Sequence, residues 1–100
     1  MNKTFYVHDE KPLLLKFDRD ANITIIIDTT EANIEYVLDG GNYNIMVYHR
    51  SNDLSLNESG YINAQANINY IDLESSKLIQ NTDIKVGRHG LLNVHSTYLA

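Results

Sequence analysis

Apolar and polar residues alternate along most of this chain. Ile23, Ile25 and Ile27 share one parity, as do Ile34, Tyr36 and Leu38, then Tyr43, Ile45 and Val47, then Ile68 and Tyr70, then Ile84 and Val86. A period of two places each set on one face of a β-strand. The runs are rich in β-branched and aromatic residues, and the breaks between them read DTTE, DGGN, RSND and GRHG, which is turn chemistry. Helix signals are scarce, and the single proline, Pro12, precedes the main series. The pattern predicts an all-β chain.

The spacing of the strands narrows the architecture. Apolar anchors recur at Ile23, Ile34, Ile45, Leu56, Ile68 and Ile79, with Leu91 or Leu92 next, in steps of 11 to 13 residues. Asn22, Asn33, Asn44 and Asn67 each precede an anchor, and the trio Ala-Asn-Ile occurs at residues 21–23, 32–34 and 66–68. A repeated unit in register with its own period points to a solenoid. Two steps make 22 to 24 residues, the length of one coil of a parallel β-helix. Stacked coils bring equivalent residues to about 4.8 Å from one another, so Ile, Leu, Val and Tyr form interior columns. Small residues at Ala21, Ala32, Ala66 and Gly90 then allow the backbone to turn corners, and the adjoining Asn suits bent backbone. The core is expected at Ile23, Ile34, Ile45, Ile68, Tyr70, Ile84 and Val86. The alternative is an antiparallel β-sandwich, because DGGN at residues 39–42 makes a good hairpin turn. Residues 1–20 read as a lead-in strand and turn, and residues 21–100 as the β-helix core, continuing in a longer parent protein.

Composition removes several classes of function. The 100 residues contain 43% hydrophobic side chains, enough for one folded domain. No apolar run approaches the roughly 20 residues of a membrane span, and the start, MNKTFYVHDEKPLLL, is not a signal peptide. There is no cysteine, hence no disulfide and no thiolate chemistry. A cytoplasmic address is the default. The net charge of −5 argues against nucleic acid, which is held by Lys and Arg. Eight of the thirteen acids fall between Asp9 and Asp39, a polarity that reads as solvated surface.

Motifs that could carry chemistry are few. DRDAN sets Asp18, Asp20 and Asn22 at alternating positions, but Ile23 and Thr29 stand where a calcium loop needs Gly and Glu, so a polar turn is expected. His8, His49, His89 and His95 form no paired metal motif. In the repeat register His49 aligns with Asp72 when Ile45 matches Ile68. His95 joins that column if Leu91 is the next anchor, and points to the opposite face if Leu92 is, the arrangement favoured by matching Asn69 with Asn93. Asp72 and Asp83 would have to converge to serve a β-helical hydrolase. Gly87 and Gly90 form a Gly-x-x-Gly that reads as a turn. Exposed Tyr43, Tyr48, Tyr61 and Tyr98 would mark a protein- or carbohydrate-binding domain if they lined one groove.

The stretch ANINYIDLESSKLIQNTDIKVGRHGLLNVHSTYLA resembles the SufB/SufD family, the scaffold subunits of a bacterial iron–sulfur cluster assembly machine. The likeness lies in an alanine-headed strand (residues 66–73), a short polar bend (Ser75-Ser76-Lys77-Leu78), an Asn-bearing strand (residues 81–86), a glycine turn (residues 87–90) and a final strand reaching Tyr98-Leu99-Ala100. ANITIIID and ANIEYVLD look like the preceding strands of that family. The bend reads Ser75-Ser76 where the family carries a glycine pair, with Gln80 and Ser96 at an arginine and a glycine position. The resemblance implies a right-handed parallel β-helix and a non-enzymatic scaffold. Its partners would be a SufC-like ABC-type ATPase and a second SufB/SufD-like subunit. The iron–sulfur cluster belongs to the full assembly, with no cofactor held by this chain. The family's functional groups have no counterpart here, so no catalytic, cofactor-binding or metal-ligating residue is assigned. A last coil lacking a charged or proline cap would leave its edge open, and a homodimer through that open β-helix end is a further expectation.

Overall fold

The structure, a computed structural model, describes residues 1–50, 53–85 and 90–98. Seven strands follow in order: β1 (Asn2–Val7), β2 (Leu13–Phe17), β3 (Ala21–Ile27), β4 (Glu31–His49), β5 (Leu54–Asp72), β6 (Leu78–Ile84) and β7 (Gly90–Tyr98). They form a right-handed β-solenoid of about three turns. β4 and β5 are long because each bends at a corner and serves two faces in succession. One face stacks β1, β3, the second half of β4 and the second half of β5. The other stacks β2, the first half of β4 and the first half of β5. All these pairings are parallel.

Register confirms the repeat. Ile23, Ile45 and Ile68 sit directly over one another, as do Ile25, Val47 and Tyr70. All six are buried, together with Ile34, Tyr36 and Leu56. Each large apolar side chain taken from water contributes about 1.5–3 kcal/mol, so these columns dominate the stability of the molecule. The spacing is 22 residues from β3 to β4 (Ile23 to Ile45) and 23 or 24 from β4 to β5. It shortens to 20 between Asn2 and Asn22 and to 21 between Leu13 and Ile34. Residues 1–20, expected as a lead-in, thus supply two strands that build the first coil.

The sandwich alternative is not what forms. Asp39–Asn42 makes a bulged bend within β4 instead of a hairpin. Gly41 adopts φ 93°, and a Cβ there would lie 2.8 Å from the Arg19 backbone, so the corner needs glycine. Ala21, Ala32 and Ala66 are buried just after the corners, the role expected of them.

Above β5 the parallel stack stops. β6 runs antiparallel on the second half of β5, and β7 runs antiparallel on the first half. This corrects the expectation that the period continues through Ile79 and Leu91 or Leu92. Ile79 is exposed, and Ile84 is only partly buried against the core. Val86 lies outside the described residues. The cause is the turn after β5. The Asp72 N–H donates to the Lys77 carbonyl, and the Ser76 N–H donates back to the Asp72 carbonyl. The Asp72 carboxylate also accepts from the Glu74 N–H and the Ser75 hydroxyl, at 3.0 and 2.9 Å. Ser76 completes the reversal at φ 60°. The chain therefore doubles back, and β6 and β7 cover the upper edge of β5.

Candidate functional site

The residues singled out by sequence do not gather in one place. Asp18 and Asp20 are exposed at a corner, where Asp18 pairs with Arg19 and Asp20 accepts the Asn42 N–H at 2.8 Å. That is a polar turn. His49 stacks under Asp72 as its register requires. His95 instead lies on the other face, opposite Asn57, with its Nδ1 in contact with the Asn57 amide oxygen. His8 is exposed in the first coil, and His89 and Gly87 lie outside the described residues. Among the described residues no three His, Asp or Glu side chains cluster as metal ligands.

Two other constellations also separate. Asp83 pairs with Asn67, five residues along β5 from Asp72. At about 3.3 Å per residue that is roughly 16 Å, wider than the carboxyl pairs of glycoside hydrolases. The four tyrosines do not form a continuous groove. Tyr43 is buried with its hydroxyl donating to the Gly40 carbonyl, and Tyr98 turns inward against His49 and Tyr70. Tyr48 and Tyr61 sit on different faces.

The structure adds a cluster that sequence reasoning missed. Glu58 is 2% exposed, in the heart of the upper coil. Tyr36 donates its hydroxyl to one Glu58 oxygen at 2.8 Å, and Tyr70 donates to the other. Burial holds the Glu58 carboxyl above its usual range, while both hydroxyl donors act to lower it. The same burial, reinforced by the Glu58 charge, pushes the Tyr36 and Tyr70 hydroxyls up. His49 lies beside this group with its ring 4.4 Å from that of Tyr98. Its Nε2 is buried without a hydrogen-bond partner among the described residues, and burial depresses its pKa although Asp72 opposes this. The signal for Glu58 was its parity: Leu54, Leu56, Ile62 and Ala64 share its inward phase.

The outer surface of the β1–β3–β4–β5 face is organised in columns as well. Tyr6, Ile26, Tyr48 and Ile71 form an apolar column, flanked by Thr4, Thr24, Met46 and Asn69. Beyond them runs a third column, Asn2, Asn22, Asn44 and Asn67. At the corner next to this last column lies a groove of about 350 Å³, lined by Asp20, Asn22, Asn42, Asn44, Gln65 and Asn67, with Met1 at its edge and a floor that includes Ala21 and Tyr43. Among the described residues no helix is long and apolar enough to cross a membrane. Compared with known proteins, the chain matches no family model, no curated protein and no solved structure.

Proposed function

We propose that the chain is a non-enzymatic scaffold, a β-helical piece of a SufBCD-like iron–sulfur cluster assembly complex. One observation carries the reading: β3, β4 and β5 stack in parallel, the β-helical architecture that the resemblance to the SufB/SufD core implies, while β6 and β7 depart from it by running antiparallel. The wide separation of Asp72 and Asp83 favours a scaffold over a β-helical hydrolase. Close-packed columns make such a solenoid stiff, so it can hold partners at a fixed separation. In this role the outer faces meet a SufC-like ABC-type ATPase and a second SufB/SufD-like subunit in the cytoplasm. The iron–sulfur cluster forms on the complete assembly.

The test is a tagged chain expressed in its native host, followed by mass spectrometry of the purified complex and by assays of iron–sulfur enzymes after deletion of the gene. Recovery of the ATPase and a paired scaffold, with loss of iron–sulfur enzyme activity on deletion, is the expected result. A chain that purifies alone, from cells whose iron–sulfur enzymes survive the deletion, overturns the reading.

A further inference from the structure

The corner groove presents polar side chains on a regular lattice. Asn22, Asn44 and Asn67 are in register on successive strands, and Asn42 pairs with Gln65 beside them, above Asp20. Adjacent strands lie about 4.8 Å apart, so three rungs span the length of two linked sugar rings. The volume, about 350 Å³, is at the lower end of small-molecule sites.

Stacked asparagines often serve the fold by bonding to one another, and the opposite face has such a ladder. There Asn57 donates to Asn33 at 3.2 Å, and His95 completes the row on Asn57. The groove differs. Asn22 turns down to Asn2, and Asn67 turns up towards Asp83. The side-chain amides of Asn44, the middle rung, and Gln65 make no hydrogen bond among the described residues, although both stand at the groove. Internal bonding therefore does not account for these two amides.

We propose that this groove binds a neutral, polyhydroxylated ligand, a short stretch of carbohydrate lying along the solenoid axis. Each primary amide offers one acceptor and two donors, the pairing a sugar hydroxyl needs because it is itself donor and acceptor. The second oxygen of Asp20 adds a strong acceptor at the lower end. The lining contains the Asp20 carboxylate, Met1 with its α-amino group, and no Lys or Arg, so it offers no paired side-chain cations of the kind that hold a multiply charged anion. An apolar ligand would strip water from the amides without replacing its hydrogen bonds. The site is independent of the scaffold reading and of the internal Glu58 cluster.

The test is a nuclear magnetic resonance titration of the full ¹⁵N-labelled chain, following the side-chain NH₂ signals of Asn44 and Gln65. The probes are cellotetraose, maltotetraose and chitotetraose, each taken to about 10 mM, a range that detects millimolar affinity. Sucrose octasulfate serves as the anionic control. The expected result is saturable movement of both signals with at least one neutral probe and none with the sulfated one. Asn44→Ala combined with Gln65→Ala should weaken binding about tenfold or more at an unchanged thermal midpoint. Asn44→Thr, which suits an exposed strand position, provides the same test should the double variant misfold, while Asn57→Ala should bind as the parent does. The proposal is overturned if no neutral probe moves these signals, if the sulfated sugar moves them equally, or if the groove variants bind undiminished.

Discussion

Glu58 occupies the inward phase of β5 between Leu56 and Gly60, where every other large side chain is apolar. Its two hydroxyl donors do not fully offset the loss of water, so the folded protein holds the proton at a pH where the unfolded chain has released it. The native state then binds more protons, and stability falls as pH rises from the ordinary carboxyl value of 4.5 through the folded one. Glu58→Gln lacks that ionisation. Urea unfolding at a series of pH values should show the parent losing stability relative to Glu58→Gln as pH rises through this window. Parallel curves would mean that the carboxyl titrates as it does in the unfolded chain. His49 works in the opposite sense. Its depressed pKa lets the unfolded chain take up a proton near 6.5 that the native ring refuses, so stability is lost as pH falls through that value. His49→Leu should flatten this acid-side loss in the same experiment. Gly60 is constrained more simply: at φ 132° an added Cβ would lie 1.9 Å from the Tyr36 carbonyl oxygen. Gly60→Ala should cost about 1–3 kcal/mol or more, read from the same unfolding curves.

Elements show where the sequence was legible and where it was not. The columns Ile23–Ile45–Ile68 and Ile25–Val47–Tyr70 could be read from period and parity, because only stacked coils make residues 22 or 23 apart share one interior. The same reading failed above β5. LIQNTDI keeps strand alternation, but alternation carries no information about strand direction. Direction is set at the end of β5 and in the five residues that follow it, by the Asp72 carboxylate and the bent backbone at Ser76. In sequence Asp72 reads as a column partner for His49 and as a candidate acid of a hydrolase. Its acceptor role in the turn holds its carboxyl below the usual range, through the Glu74 N–H first and the Ser75 hydroxyl next. Asp72→Ala removes both bonds and should release the β5–β6 turn locally while the lower coils stay intact. Hydrogen exchange is expected to accelerate in Leu78–Ile84 and remain slow in Ala21–Ile27. Equal acceleration in both segments would show that the turn supports the whole solenoid. The groove was invisible for a related reason. The Ala-Asn-Ile trio marks the asparagines as architecture, and only the hydrogen bonds separate the ladder at Asn33 and Asn57 from the side-chain amides of Asn44 and Gln65, which are unengaged among the described residues.

Across the whole molecule, 36 Å in its longest dimension, the central isoleucine column ends in a polar residue in both directions. The isoleucine column reads Lys3, Ile23, Ile45, Ile68 and then Thr82. Its neighbour ends on Gln80 above Tyr70, and Leu56 meets Ser96 on the other face. A further coil stacked on either end would have to bury these groups against an apolar layer, at a cost of roughly 1–3 kcal/mol for each one left unpaired. Lys3 is the more exposed terminator, Thr82 being half-buried, and among the described residues β1 pairs with β3 alone. An inward-phase lysine on an edge strand is a recognised barrier to edge-to-edge pairing, because its charge must enter the new interface. Phe5 and Phe17 are only partly buried and would become part of such an interface once the charge was gone. Lys3→Ile is therefore expected to extend the column by one rung and to make the chain associate in a concentration-dependent way by sedimentation velocity. Lys3→Glu, which keeps a charge at the same place, should sediment as the parent does. If Lys3→Ile stays at the parent's oligomeric state across the same concentrations, with its thermal midpoint unchanged, then Lys3 does not guard that end.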